Sequence, residues 1–150
     1  MGVLRPGFHG TVGQPSASVI NGSLRFETSK TQYLKRTPSG SGNTNTWTFS
    51  CWVKRNGLSA TNYLIRTPTV DEGFYLSNSD KIDIYRYSGS FTYLGSTVEV
   101  FRDVAGWYNI VYKHDSTAAT GSRLSIYING VQQSISLTTD IASNTGYSFN

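Results

Sequence analysis

Paired carboxylates would offer this chain its most direct route to catalysis, because two acidic side chains perform glycoside hydrolysis. Retaining hydrolases hold the two carboxyl groups about 5–5.5 Å apart. Here Glu27, Glu72 and Glu99 stand on separate segments, and Asp71 directly precedes Glu72. Adjacent residues of an extended strand point to opposite faces, so this pair cannot act together. The sequence therefore predicts a protein that is not an enzyme.

Nucleophilic catalysis also lacks its usual residues. No Gly-x-Ser-x-Gly motif occurs, and Cys51 is the single cysteine, which excludes an internal disulfide. Cys51 falls on the apolar side of a predicted strand, as is typical of a small buried side chain. His114 lies beside Asp115 at the end of another predicted strand, where we expect a solvated turn histidine. His9 has no candidate nucleophile near it in the sequence.

Four acidic residues surround a predicted hairpin and could bind a hard cation. Ca²⁺ prefers carboxylate and carbonyl oxygens, often those of loops. No EF-hand spacing is present, and acidic side chains in turns are ordinarily solvated. We therefore expect no cofactor, with Ca²⁺ as the alternative. The candidate ligands are Asp71, Glu72, Asp80 and Asp83.

Tyrosines occupy two alternate positions within the segment 81–87, at Tyr85 and Tyr87. If Ile82 and Ile84 point inward, alternate residues form an outward stripe. Aromatic faces can pack against the CH groups of sugars, but tyrosine is also favoured at protein interfaces. Cross-strand packing is a third explanation. The candidate residues for contact with a glycan or a protein are Asp83, Tyr85, Arg86, Tyr87 and Tyr93.

The segments that would position these residues are predicted strands. Residues 46–55 and 106–113 alternate with period two, and the apolar face of the first must be covered by a second sheet. Asn129-Gly130 is a strong type I′ turn signal between two strands. Roughly ten strands at this spacing predict an all-β antiparallel sandwich of the jelly-roll type. The other predicted strands are 22–28, 32–37, 63–65, 74–76, 81–87, 97–101, 123–128 and 131–137.

Composition restricts the partners. A chain of 150 residues fits one domain, and its net charge of +4 is unevenly distributed. Residues 1–66 have a net charge of +7, whereas residues 67–150 have −3. Such a charge dipole favours docking on an acidic protein surface or head-to-tail assembly. Nucleic acid is not expected, because no Lys/Arg run exceeds two residues. Membrane insertion is not expected either, because no apolar run approaches the roughly 20 residues that span a bilayer.

The first 21 residues differ from the rest. Glycines and prolines interrupt any strand there, so residues 1–21 are predicted to form an extended N-terminal arm before a sandwich over residues 22–150. The arm has more apolar side chains than a solvated linker needs. This favours an anchor that orders on a partner over a mobile tail. The candidate anchor residues are Leu4, Arg5, Phe8, His9 and Val12.

Several sequence strings resemble the laminin-G-like, concanavalin A-like jelly rolls. They are Ser23-Leu24-Arg25-Phe26, Tyr33-Leu34, residues 47–54, residues 106–111 and residues 124–130. With residues 1–15 in front, this form is similar to domains in virion proteins of tailed phages, marine ones especially. Members of the family continue past the last hairpin, so we expect this sandwich to lack its final strands.

The resemblance implies a phage virion structural protein, made in the host cytoplasm and located in the virion. It implies a tail-fibre or other appendage component that docks through its N-terminal arm and contacts host surface glycan. The implied partners are other proteins of the tail or capsid, a host cell-surface polysaccharide and further copies of this chain. A capsid head-decoration protein is the alternative, and a lectin or a glycan-cleaving enzyme is the third possibility.

Overall fold

The computed structural model describes residues 22–27, 30–40, 42–67, 70–146 and 149. The chain divides into two compact units, Met1–Thr37 and Pro38–Asn150. The described residues contain no helix that could cross a membrane. The predicted arm and its five anchor residues lie outside the described residues, so that prediction stays a prediction.

In the first unit, the described residues form no strand, and the strands predicted over 22–28 and 32–37 are wrong for the residues described. The backbone bonds locally instead: the amide of Lys30 donates to the carbonyl of Glu27 at 3.0 Å. The Glu27 amide donates to the side chain of Gln32 at 2.8 Å. Leu24 and Leu34 are largely exposed, so the apolar alternation does not correspond to a buried face.

The second unit is an antiparallel β-sandwich, which confirms the predicted fold class. One sheet has four strands in the order β1-β6-β7-β8, and the other has five in the order β2-β3-β4-β5-β9. The nine strands of the described residues are β1 Thr46–Val53, β2 Asn62–Arg66, β3 Asp71–Leu76, β4 Ile82–Tyr87, β5 Phe91–Thr97, β6 Tyr108–Asp115, β7 Leu124–Ile128, β8 Val131–Gln132 and β9 Ile135–Thr139.

The core lies between the two sheets and is rich in aromatic residues. Phe74 of the five-stranded sheet meets Phe49 and Tyr112 of the four-stranded sheet, with ring centroids 6.1 Å and 5.0 Å apart. Ile82, Ile84, Ile110 and Ile126 complete the fully buried centre. Inward residues recur at every second position of β4, β6 and β7, as the strand period requires.

The alternation of β1 is as predicted, with Trp47, Phe49, Cys51 and Val53 packed against the core. Burial raises the pKa of the Cys51 thiol to about 11. A thiol with so high a pKa is a poor nucleophile at neutral pH, because the thiolate is the reactive form. The packing of Cys51 against the core, as a partly buried side chain, agrees with its interpretation as a small packing residue.

Two predicted strands have different limits in the structure. The chain pairs over β5, so that Thr97 is the only residue of the predicted strand 97–101 that lies in a strand, and Val98 and Val100 are exposed. The predicted strand 131–137 is split in two. β8 pairs with β7 through the Asn129-Gly130 turn, whose two residues have positive φ as a type I′ turn requires. β9 then pairs with β5 in the opposite sheet.

His114 is not a solvated turn residue, and that expectation is wrong. It lies within β6 on the core side and is 1% exposed. Its ring stacks on Trp47 with centroids 5.5 Å apart, and its Nε2 lies 3.4 Å from the carbonyl of Thr145. Burial lowers the pKa of His114 to about 4, so the imidazole is neutral at neutral pH. The β6 strand extends two residues beyond the predicted end and thereby turns this side chain inward.

Candidate functional site: an aromatic face on the five-stranded sheet

The outer face of the five-stranded sheet is the feature that could bind a ligand. Because Ile82 and Ile84 are buried in the core, the alternate residues Asp83, Tyr85 and Tyr87 of β4 lie on the outer face. The stripe predicted on condition that the isoleucines point inward is therefore present. Neighbouring strands widen it into what we call the tyrosine face. Its members are Tyr63, Asp71, Tyr75, Tyr85, Tyr87, Phe91 and Leu94.

The predicted contact set does not all lie on this face. Arg86 occupies the core-facing position between Tyr85 and Tyr87, and its Nε pairs with Glu72 at 3.1 Å. Tyr93 pairs with Arg86 in the β4–β5 register and is 1% exposed. Strand alternation directs both side chains to the core face. Arg86 and Tyr93, which were predicted as contact residues, therefore lie on the core side of the sheet and not on the tyrosine face.

Gly73 forms the floor of the tyrosine face. It lies opposite Tyr85 in the β3–β4 register, on the same side of the sheet. A Cβ at this position would stand 2.5 Å from Cε1 of Tyr85 and 2.8 Å from Cε1 of Tyr63. Both distances are far below van der Waals contact. The absence of a side chain at residue 73 therefore allows the two tyrosine rings to close over the β3 backbone.

The two rings that cover Gly73 are joined by their hydroxyl groups. The hydroxyl oxygens of Tyr63 and Tyr85 are 3.4 Å apart, and the Tyr85 hydroxyl donates to Oδ1 of Asp71 at 2.6 Å. Arg66 approaches the same Oδ1 at 3.4 Å, and its guanidinium lies 5.0 Å from the centre of the Tyr63 ring. Desolvation, followed by the hydrogen bond with Asp71, raises the pKa of Tyr85. Its hydroxyl therefore stays protonated at neutral pH.

Tyr75 and Asp83 form a second polar position on the tyrosine face. They are directly opposite in the β3–β4 register, and the Ser96 hydroxyl of β5 donates to Oδ1 of Asp83 at 2.7 Å. Partial burial and then the negative charge of Asp83 raise the pKa of Tyr75 to about 12. The ring of Tyr75 also contacts Tyr63 and Tyr85, with centroids 5.0 Å and 5.7 Å away.

The aromatic surface continues towards β5. Phe91 packs edge-on against Tyr85 and Tyr87, with centroid distances of 6.3 Å and 5.2 Å. Together the rings line a shallow depression of about 360 Å³. Phe91 and Tyr87 are nearly half exposed, so the depression opens to solvent. The arrangement offers flat apolar surfaces next to carboxylate and hydroxyl oxygens.

Comparison with known proteins places this sandwich in a family. Residues 27–150 match the family model of the concanavalin A-like lectin/glucanases superfamily. This chain belongs to that superfamily. No curated protein and no solved structure matches the chain significantly. The resemblance to laminin-G-like, concanavalin A-like jelly rolls is confirmed for the fold. A superfamily that spans lectins and glucanases does not by its fold decide between binding and hydrolysis.

The carboxylates of Asp71 and Asp83 on the tyrosine face lie at well-separated positions along the sheet. Asp83 pairs with Tyr75, which lies four positions along β3 from Asp71. At the rise of an antiparallel strand this separates the backbone positions of the two acids by roughly 13 Å, whereas glycoside hydrolases of either stereochemistry keep their two carboxyl groups within about 10 Å of each other. Asp71 and Asp83 each accept a hydrogen bond from a neighbouring hydroxyl. They are arranged as hydrogen-bond acceptors.

The four predicted Ca²⁺ ligands do not converge. Asp71 and Asp83 lie on the outer face, while Glu72 is buried on the core face of β3. Asp80 is buried in the turn before β4. Among the described residues, no group of three or more His, Cys, Asp or Glu side chains could hold a metal ion. The expected cluster around the hairpin is wrong as a cluster, because strand alternation sends its members in different directions.

Asp80 instead joins three segments of the superfamily fold. Its Oδ1 accepts from the amide of Ser59 at 2.8 Å and pairs with Arg55 at 2.9 Å. Its Oδ2 pairs with Nε of Arg102 at 3.0 Å. The Ser59 amide and then the two arginines keep the pKa of Asp80 below its ordinary value. Arg55 also donates to the carbonyl of Phe101 at 2.6 Å, so this cluster fixes loops at one end of the sandwich.

Sequence reasoning missed part of the tyrosine face. Tyr63 and Tyr75 were not among the predicted contact residues, and Asp71 was predicted only as a metal ligand. The alternation of side chains along β3 could have indicated that Tyr75 lies on the outer face, since Phe74 and Leu76 on either side of it are apolar core residues. The face on which Tyr63 lies could not be predicted from alternation, because β2 contains an irregularity between Tyr63 and Ile65 that shifts its register.

Proposed function

We propose that this chain is a non-enzymatic recognition domain that binds glycan on the tyrosine face. The observation that supports the proposal most directly is the arrangement of Tyr63 and Tyr85 over Gly73, beside the Asp71 carboxylate. Flat rings can receive the CH surface of a sugar ring, and adjacent oxygens can bind its hydroxyl groups. Binding sites for small ligands generally combine aromatic surface with a few placed polar groups.

The non-enzymatic part of the proposal is supported by the separation of Asp71 and Asp83 and by their hydrogen bonds. It is also supported by the state of the other reactive groups. The thiol of Cys51 and the imidazole of His114 both lie against the core, where neither group reaches the tyrosine face. Release of reducing ends from a polysaccharide that the protein binds would contradict this part of the proposal.

The experiment that tests glycan binding is a screen of the full 150-residue chain on a glycan array, followed by calorimetry with the best ligand. Tyr63→Ala removes a ring that is 44% exposed, so the fold should survive while affinity falls at least about tenfold. Tyr127→Ala is the matched control, because Tyr127 lies on the outer face of the four-stranded sheet. Equal affinity of the Tyr63→Ala variant and the wild-type chain would overturn the proposed site.

We further propose that this recognition takes place on a phage particle, where the chain is a tail-fibre or appendage component. The support is the similarity of residues 1–15 and of the jelly-roll strings to phage virion proteins. In this proposal the N-terminal arm docks on other virion proteins, and the domain is presented in several copies. A head-decoration protein is the alternative within the same setting.

Cryo-electron microscopy of the assembled particle tests this setting. A few copies at the tail, with residues 1–21 buried in a neighbour, are expected for an appendage. Hundreds of copies on the head lattice would favour the decoration protein. Absence from the particle would contradict both, and would leave the glycan-binding proposal to be judged by the array alone.

A further inference from the structure

We propose that the tyrosine face selects uncharged saccharides that donate a hydroxyl hydrogen bond to Asp71, and that it discriminates against glycans bearing carboxylates. This inference rests on the proposed function and specifies its ligand class. It follows from the direction of the hydrogen bonds around Asp71. These directions determine which donors and acceptors on the tyrosine face remain available to a ligand.

The direction of each hydrogen bond follows from the number of protons that Tyr63, Tyr85 and Asp71 can donate. A carboxylate only accepts, so the 2.6 Å contact between Tyr85 and Asp71 uses the single hydroxyl proton of Tyr85. The 3.4 Å contact between the hydroxyls of Tyr63 and Tyr85 must then use the proton of Tyr63. Both tyrosine protons point along the network towards Asp71. The raised pKa of Tyr85 is consistent with this direction, because the donor remains protonated.

Asp71 has an oxygen left for a ligand. Its side chain is 48% exposed, and the contacts from Tyr85 and Arg66 both reach Oδ1. Among the described residues, none donates to Oδ2. The exposed end of the network is therefore a carboxylate oxygen that can accept but cannot donate. A sugar hydroxyl satisfies it, whereas the carboxylate of a uronic acid would oppose it with a second negative charge.

Other charges near Asp71 reinforce this preference. Arg66 is the cation beside Asp71, but it already lies against that carboxylate and over the Tyr63 ring. Asp83 adds a second acceptor on the same face, with the Ser96 hydroxyl donating to it. Lys81 precedes β4 by one residue, at the end of the face remote from Asp71. An anionic sugar placed over Gly73 would thus meet carboxylates on β3 and β4, while the guanidinium of Arg66 already contacts one of them.

The experiment compares each acidic polysaccharide with its own neutral derivative. Polygalacturonate, alginate and hyaluronate are tested before and after chemical reduction of their carboxyl groups, together with neutral glucans, mannans and galactans. We expect the full chain to bind one or more neutral polymers at least about tenfold more tightly than any carboxylated one. Tighter binding to carboxylated polymers than to their reduced forms would overturn the inference and leave the proposed function standing. Binding to none of these polymers would overturn both.

A variant identifies the residue responsible. Asp71→Asn keeps the size of the side chain but removes its charge and adds a donor. We expect weaker binding to the neutral polymer and a smaller difference between each acidic polymer and its reduced form. Glu99→Gln is the control, because Glu99 is an exposed acid in the loop after β5 and should leave both quantities unchanged. Unaltered discrimination in Asp71→Asn, with the fold intact, would remove Asp71 from the role assigned to it.

Discussion

Asp71 and Asp80 both pair with arginine, yet they occupy opposite environments. Asp71 lies on the tyrosine face, and it and Arg66 are each about half exposed with a 3.4 Å contact. The Asp80 side chain is 5% exposed and meets Arg55 and Arg102 at 2.9 Å and 3.0 Å. An exposed ion pair contributes little to stability, whereas loss of one partner from a buried pair is strongly destabilising. Pairs of the same chemistry therefore differ in their contribution to stability, which is small at Asp71 and large at Asp80.

The largest effect is expected from breaking the buried cluster. Arg55→Met leaves the Asp80 carboxylate without its buried partner and removes a hydrogen bond to the carbonyl of Phe101. We expect the thermal midpoint to fall by on the order of 10 °C, measured by circular dichroism. Arg66→Met is the matched control at the exposed pair and should change the midpoint by about 2 °C or less. Similar falls in the thermal midpoint of both variants would contradict the difference between the buried and the exposed ion pair.

Lowering the pH provides the next test. A buried group with a lowered pKa takes up its proton more readily in the unfolded chain, so a fall in pH favours unfolding. Unfolded His114 protonates near pH 6.5 and the folded residue only near pH 4. Its effect on stability is absent above pH 6.5 and grows down to pH 4, where the destabilisation reaches on the order of 3 kcal/mol. Asp80 has a lowered pKa in the fold, so its contribution is lost only below about pH 3.8.

Denaturant titrations across this pH range measure the effect. His114→Phe should flatten the fall in the free energy of unfolding between pH 6.5 and pH 4. His9→Gln, which changes the other histidine of the chain, serves as the control and should keep the wild-type slope. A slope that His114→Phe leaves unchanged would show that other groups cause the acid sensitivity.

On the recognition side, the floor of the tyrosine face should be sensitive to any added side chain. Gly73→Ala places a Cβ against the rings of Tyr63 and Tyr85, so one of the rings must move. We expect affinity for the bound glycan to fall about tenfold, with a stability loss of about 1–3 kcal/mol. Gly57→Ala is the control, since its Cβ would have no heavy atom within 4 Å. Retained affinity in Gly73→Ala would mean that the ligand does not rest on these rings.

The smallest effect is expected from removing one hydroxyl group. Tyr85→Phe keeps the ring but takes away the donor to Asp71, which then recovers hydration at an exposed position. Affinity for the glycan should fall by about threefold, and the thermal midpoint should change little. Tyr127→Phe on the opposite sheet is the control for calorimetry. A loss as large as that of Gly73→Ala would indicate that the hydroxyl network, and not the ring surface, dominates binding.

Local sequence patterns predicted most of the sandwich. The alternation in β1 identified Trp47, Phe49, Cys51 and Val53 as core residues, and Asn129-Gly130 identified the hairpin between β7 and β8. These features depend on residues close together in the chain, where the strand period and the preference for positive φ act directly. The outward position of Tyr85 followed in the same way, once Ile82 and Ile84 were taken as core residues.

The candidate site depended on pairing between strands, which the order of residues along one strand does not specify. Only the tertiary structure placed Tyr63 of β2 and Tyr85 of β4 over Gly73 of β3, because a bulge in β2 shifts its register. It likewise paired Tyr93 with Arg86 on the core face and placed Asp80 in a buried turn away from Asp71. The sequence by itself determined most strands of the sandwich and the buried faces of β1 and β4, since these follow from local alternation. Which side chains meet across strands was decided by register and by the path of the chain between the two sheets.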